Sequence, residues 1–176
     1  LVAQASEAME RLWWRMQAVR DVRQRRLPQA VQDLRAASAA RHARGREVGQ
    51  GGMRAALVLR DNVRNRSRIE KAYRRAIGAA RHDIIIANAY FMPGGKLRRA
   101  LILAAKRGVR VQLLLQGRYE YFMQYHAARP VYGALLAAGV EIHEYEPSFL
   151  HAKVAVIDAH GDKPWATVGS SNLDPL

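Results

Sequence analysis

The sequence predicts an α/β fold: a mixed β-sheet flanked by helices, preceded by a helical and linker segment. Three observations carry this. From Met53 onward, short apolar runs rich in Val, Ile and Leu alternate with segments whose apolar residues recur at helical spacing. Ala104-Ala-Lys-Arg-Gly-Val-Arg-Val111 and Leu135-Leu-Ala-Ala-Gly-Val-Glu-Ile142 are one helix–Gly–strand junction used twice, as expected of parallel strands joined by right-handed helical crossovers. Only five residues separate Tyr145 from His151, too few for a crossover helix. The strand that begins at His151 should therefore run antiparallel to its predecessor.

Taken in order, residues 6–19 read as an amphipathic helix. Ser6 is its candidate N-cap, Glu7 and Glu10 lie in the first turn, and Met9, Leu12, Trp13 and Met16 form a stripe expected to face a core rather than a membrane interface. Pro28 opens a shorter helix to about Arg41, with Val31 and Leu34 inward. Gly45, Gly49, Gly51 and Gly52 then break the pattern, and residues 20–52 as a whole have the Arg-, Ala-, Gln- and Gly-rich texture of a basic linker. The domain division expected is 1–52, a helical end and linker, and 53–176, an α/β domain.

Within the second part, Ala55–Arg60 is a candidate strand. Ser67-Arg-Ile-Glu70 is a capping box for a helix with Ile69, Tyr73, Ala76, Ile77 and Ala80 on one face. Asp83–Ala89 is a continuous apolar strand of the kind buried on both faces. Pro93-Gly94-Gly95 turns into a helix with Leu97, Leu101, Ala104 and Ala105 inward, ended by Gly108. A strand at 109–116, a helix near 130–138 ended by Gly139, and a strand at 140–145 complete the alternation. The ligand edge of such a sheet is at the carboxyl ends of its parallel strands. Tyr90, Phe91, Gln116, Arg118 and Tyr145 fall there. The loop from Gly117 to Tyr125 leaves the same edge. Its aromatic side chains either line a pocket for an acyl chain or glycerol, or pack over the loop's own strands.

The chemistry is concentrated at the end of the chain. In Leu150-His-Ala-Lys-Val-Ala-Val-Ile-Asp158, alternation puts His151, Lys153, Ala155 and Ile157 on one face and Ala152, Val154, Val156 and Asp158 on the other. Residues 159–164 have turn composition. Trp165-Ala-Thr-Val168 is a second short strand, followed by Gly169-Ser-Ser-Asn172. A hairpin returns Ser170 and Asn172 to the end where His151 starts. An imidazole, an ammonium, a hydroxyl and an amide then converge, a set suited to a phosphate ester. Imidazole can attack phosphorus or carry a proton. Lys153, Ser170 and Asn172 can hold the non-bridging oxygens and offset their charge.

The order His151-x-Lys153, four residues, Asp158, a gap, then Gly169-Ser170-x-Asn172 resembles the His-Lys-Asp signature of the phospholipase D superfamily. The gap, residues 159–168, is longer than the family's usual one, and the surplus falls in the turn around His160–Pro164. Ala87-Asn-Ala-Tyr-Phe-Met-Pro-Gly94 and Gly169-Ser-Ser-Asn-Leu-Asp-Pro-Leu176 are similar to segments of the bacterial cardiolipin synthases, the B branch most closely. The resemblance covers roughly residues 55–176 well and the Trp13-Trp14 helix weakly. It implies transfer of a phosphatidyl group to phosphatidylglycerol through a phosphohistidine. His151, Lys153 and Asp158 are the catalytic set, with His151 as acid and base, and Lys153, Ser170 and Asn172 are the phosphate-binding residues. It also implies a first His-Lys-Asp half elsewhere in the same protein and a peripheral place on the bacterial inner membrane. The chain begins without Met and stops just past the motif, so a fragment of a longer protein, inactive alone, is expected.

Composition narrows the partners. The 176 residues carry a formal charge of +14 with a pI of about 11.0, which attracts anionic lipid or nucleic acid. The motif's flanks favour anionic phospholipid at a membrane surface over nucleic acid. A phosphodiesterase or nuclease acting as a dimer, and a basic module without activity, are the rival readings. Cysteine is absent, which excludes disulfides and thiolate metal sites. His42, His82, His126, His143 and His160 have no metal-like spacing, and carboxylates do not gather near the motif. Neither a metal nor a cofactor is expected. No apolar run has the length of a membrane span. Asp158 lies on the opposite strand face from His151 and about seven strand rises away, on the order of 20 Å, so its role is expected to be structural.

Overall fold

In the computed structural model, residues 2–39, 55–60, 67–118 and 131–174 are described. The chain divides into two compact units, Leu1–Val58 and Leu59–Leu176.

In the first unit α1 (Val2–Arg23) packs against α2 (Leu27–Ala39). The expected N-cap is corrected. The helix runs through Ser6, which leaves no cap role for its hydroxyl and takes Glu7 and Glu10 out of the first turn. The expected inward stripe is corrected as well: Met9, Leu12, Trp13 and Met16 are all more than half exposed, and Val31 and Leu34 about half. The buried apolar residues of the pair are small ones. Ala18 and Ala30 are buried, and Asp21 beside them is paired with Arg26 at 3.4 Å. Small side chains let two helix backbones approach closely, and that outweighs the periodicity of the larger residues. The glycines of the expected linker lie outside the described residues.

The second unit is the α/β sheet. Its elements are α3 (Arg68–Ala79), β1 (Asp83–Asn88), α4 (Gly95–Lys106), β2 (Arg110–Gln116), β3 (Glu141–Tyr145), β4 (Lys153–Ile157) and β5 (Trp165–Val168). A further helical stretch covers 131–136. The strand order is β3-β2-β1-β4-β5. β1, β2 and β3 are parallel, while β4 is antiparallel to β1 and β5 to β4. The mixed sheet and the final reversal are as the connection lengths imply.

The repeated junction is the same structure twice. At each site the glycine takes φ of +89°, which a side chain would resist. Gly108 N–H donates to Ala105 O and Val109 N–H to Ala104 O; Gly139 N–H donates to Leu136 O and Val140 N–H to Leu135 O. This paired closure satisfies the last carbonyls of the helix and turns the chain into the next strand.

One face of the sheet holds the core. Ile84, Ile86, Val111, Leu113, Leu115, Ala155 and Ile157 pack under Tyr73 and Ile77 of α3, Leu97, Leu101 and Ala104 of α4, and Leu135. Trp165 joins the hairpin to α3, edge-on to Tyr73 with ring centroids 5.4 Å apart. Burial pushes the Tyr73 hydroxyl up to about 12. Three expectations are corrected here. β1 is not buried on both faces: Ile85 is 42% exposed. The strands β1, β2, β3 step in one direction, and right-handed crossovers that do so lie on one face of a sheet. Residues 55–60 form no strand, because an apolar run becomes one only where a ladder position is open to it. Ser67 precedes α3 as expected but its side chain makes no capping bond, so the capping box does not close.

Candidate active site

The topology gathers one rim. The carboxyl ends of β1, β2, β3 and β5 and the amino end of β4 all lie there, since Asn88 pairs with Lys153, Leu115 with Asn88, and Val168 with Val154. The link from β3 to β4 crosses this rim. On its way Leu150 N–H donates to Gln116 Oε1 at 2.8 Å, and Ala152 O accepts from Ala89 N–H at 3.0 Å. Gln116 thereby holds the residue just before His151. Arg118, whose Nε donates to Glu146 O at 2.6 Å, lies over the Phe149 ring at 5.9 Å. Residues 119–130, which include most of the aromatic loop, lie outside the described residues.

His151 is exposed at the start of β4, and Lys153 is buried on the core face beyond it. Lys153 Nζ is 3.0 Å from His151 Nε2 and 3.3 Å from His151 O. An ammonium only donates, so this contact is a hydrogen bond in the tautomer that carries its ring proton on Nδ1. The lone pair that could take a proton is thus aimed at the cation that could hold a phosphate. β5 brings the second segment back: Gly169 N–H donates to Lys153 O at 3.1 Å. Ser170 is exposed, and Asn172 is partly buried with Oδ1 lacking a hydrogen-bond partner among the described residues. The next residue, Leu173, is buried, bridges to Phe91 and accepts from Met92 N–H at 3.2 Å. The two segments that carry the family resemblance are therefore stitched together at the rim.

Asp158, which the resemblance puts in the catalytic set and strand geometry sets apart from it, is not brought to this group. It sits at the far end of β4, where Oδ1 accepts from Arg81 N–H at 3.2 Å, His82 N–H at 2.8 Å and Asp83 N–H at 3.1 Å, and Oδ2 from Arg81 N–H at 2.9 Å. Burial alone would raise its carboxyl. The backbone N–H groups of His82, Arg81 and Asp83 outweigh that and hold it below the usual carboxylate range. Its φ of +50° also turns the chain into the hairpin loop. The residues beyond the family's usual gap fall in that loop, 158–164, leaving Ile157 paired with Trp165.

Two residues stand at the site to which the sequence assigned no role there. Arg60 donates to Asp174 Oδ1 at 2.9 Å and to Ser171 Oγ at 3.2 Å, clamping the segment that carries Ser170 and Asn172. Asn88 ends β1 on the core face, fully buried, with neither side-chain atom hydrogen-bonded among the described residues. A signal for Asn88 did exist: period-2 alternation from Ile84 and Ile86 puts an amide where a third aliphatic residue belongs. None existed for Arg60, whose partners are more than a hundred positions away.

The profile of the family described as cardiolipin synthase, PLD-like domain, matches residues 73–176. The chain belongs to that family. It is 46% identical over 137 residues to cardiolipin synthase B of Escherichia coli K12, covering 77% of this chain and 32% of that protein. To the cardiolipin synthase of Geobacillus thermodenitrificans it is 36% identical over 128 residues, covering 73% and 24%. The chain thus spans about a third or less of the curated relatives it matches. Among solved structures it is similar to a phospholipase D family member, Nuc from Salmonella typhimurium, with TM-score 0.49 and 23% identity over 59% of this chain and 64% of that one.

Proposed function

We propose that this chain contributes one catalytic half of a cardiolipin synthase, an enzyme that moves a phosphatidyl group onto the free hydroxyl of phosphatidylglycerol. The observation that carries the reading is the Lys153–His151 pair, 3.0 Å apart at the ligand rim of the sheet. In the proposed reaction a histidine of the other half attacks phosphorus, and the bond to the leaving glycerol oxygen breaks. His151, having taken up a proton from solvent at Nε2 once Lys153 has moved to the phosphate, gives that proton to the leaving oxygen. It then takes a proton from the acceptor hydroxyl, whose oxygen displaces the histidine from phosphorus and completes the new ester. Throughout, Lys153 with Ser170 and Asn172 holds the non-bridging oxygens. For His151 to act, Lys153 has to leave Nε2 for the phosphate, so substrate entry itself frees the acid–base nitrogen. Asp158 has no part in the chemistry and acts by fixing β4 to β1.

The substrate is an anionic phospholipid presented at a membrane surface, and the site of action is the periphery of the bacterial inner membrane. The +14 charge supports this. No helix among the described residues is long and apolar enough to cross a membrane. The experiment is transfer on vesicles of labelled phosphatidylglycerol by the intact two-half protein, with plasmid DNA as the competing substrate. His151→Ala is expected to lower turnover by about 10²–10⁴-fold with vesicle binding retained, and Lys153→Ala to disable it as well. Near wild-type turnover of the His151 variant, or cleavage of DNA in place of lipid transfer, overturns the reading.

A further inference from the structure

Asn88 is the one polar side chain among the largest fully buried residues of the core, with 0% exposure. Neither Oδ1 nor Nδ2 has a hydrogen-bond partner among the described residues. An amide left so in a protein interior costs stability and calls for a reason, because an aliphatic residue of similar size would bury better. Nothing in the packing of the sheet supplies one: the positions two and four residues before it on the same face, Ile86 and Ile84, are aliphatic and fully buried.

Its neighbour supplies the reason. Asn88 is the register partner of Lys153 across the antiparallel β1–β4 pair. The adjacent pair is joined by Ala89 N–H to Ala152 O, and Asp158 N–H donates to Asp83 O at the other end of the same register. Hydrogen-bonded and non-bonded pairs alternate along such a ladder. Asn88 and Lys153 therefore form a non-bonded pair, the kind whose side chains stand closest, on one face of the sheet. The Lys153 ammonium has three hydrogens, and among the described residues its hydrogen bonds go to His151 Nε2 and His151 O.

We propose that Asn88 is a positioning residue for Lys153, its Oδ1 receiving the ammonium when Lys153 leaves His151 Nε2 to hold the substrate phosphate. Lys153 then has two stations. One, on His151, is occupied in this structure. The other, on Asn88 and a phosphate oxygen, releases the imidazole for proton transfer while keeping the cation hydrogen-bonded. The inference rests on the catalytic reading of His151 and Lys153, but not on the identity of the alcohol or the lipid.

The test is Asn88→Leu in the intact protein, with thermal unfolding, kcat and KM measured together. A residue kept for packing predicts lost stability and unchanged turnover per folded molecule. The two-station role predicts an unfolding temperature equal to or above wild type, because two unsatisfied buried atoms are gone. It also predicts a kcat at least tenfold lower with a smaller change in KM. Asn88→Ala, which cannot clash, is read in the same way if leucine does not fit. Wild-type kcat in a folded variant, or a loss of activity that only tracks loss of folded protein, overturns the proposal. Each protein is assayed on phosphatidylglycerol vesicles and on bis(p-nitrophenyl) phosphate. If the wild type cleaves the simple diester but transfers no lipid, the synthase reading fails while the role of Asn88 is still decided on the diester.

Discussion

At the scale of single residues, the same strand carries two polar groups with opposite fates. Lys153 and Asp158 both lie in β4 or at its end, both are buried, and both are named in one motif. Lys153 reaches the rim because its side is the core face and its end is the ligand end. Asp158 sits at the other end, where the backbone N–H groups of residues 81–83 converge on its carboxylate. A carboxylate so held favours the charged form, and its folded pKa lies below the ordinary value of 3.8. The stability it contributes is therefore complete above that value and is lost as pH falls through the folded pKa. Asp158→Asn is expected to destabilise the intact protein by about 1–3 kcal/mol at neutral pH, since an amide NH₂ meets N–H donors. The variant should also lose less stability than wild type between neutral pH and pH values below the ordinary carboxyl range. Turnover per folded molecule should stay within a few-fold of wild type. Denaturant unfolding at both pH values and a kcat corrected for folded fraction check this. Loss of turnover as complete as that of His151→Ala would restore Asp158 to the chemistry.

At the scale of elements, the site is an edge built from ends. The β4–β5 hairpin brings Gly169 to Lys153, and Leu173 then binds the segment after β1 through Phe91 and Met92. Arg60 closes the arrangement from the far side by pairing with Asp174 and Ser171. This ion pair is largely shielded, with side-chain exposures of 17% and 25%, so solvent screens it less than a surface pair. Arg60→Ala leaves Asp174 unpaired and frees the segment that holds Ser170 and Asn172. The expected results are a loss of about 1–3 kcal/mol and a raised KM for the phosphodiester, with a smaller change in kcat, as fits a defect in holding phosphate rather than in proton transfer. Arg60→Lys should restore part of both losses, because it keeps the charge but replaces the planar guanidinium with a point charge on a flexible stem. An unchanged KM in a folded Arg60→Ala protein would mean that the clamp does not position the phosphate loop.

At the scale of the whole molecule, the chain offers one His-x-Lys. Transfer through a covalent histidine needs a nucleophile on one side of phosphorus and an acid on the other, and a single imidazole cannot occupy both places in the first step. Residues 1–176, purified and shown to be folded, are expected to transfer no label from phosphatidylglycerol as monomers. Sedimentation alongside the assay, over a range of concentrations, checks this. Turnover by a demonstrated monomer contradicts the two-half reading. Activity that grows with the square of concentration instead identifies a site assembled between two copies.

Local signals in the sequence were enough for the elements of the sheet and the direction in which each runs, though they also suggested a strand at 55–60 that does not form. Alternation, helical spacing and two Gly-ended junctions depend on residues a few positions apart, and the five-residue link before His151 forces a reversal whatever lies around it. Those same signals were enough to place His151 and Lys153 together and Asp158 apart, because strand geometry sets which residues share a face and an end. They misjudged how each face is covered. Ile85 is exposed because crossovers that step in one direction cover one side of a sheet, and the Met9–Met16 stripe is exposed while the buried apolar residues of α1 and α2 are alanines. Only the tertiary structure decided which strand β4 lies beside. Direction is set by a short link, but the outer edges of β1 and β3 both suit a strand of that direction, and β4 lies beside β1. That choice puts Asn88 against Lys153 and lets Arg60 reach Asp174, pairings between residues far apart in the chain that no spacing rule could disclose.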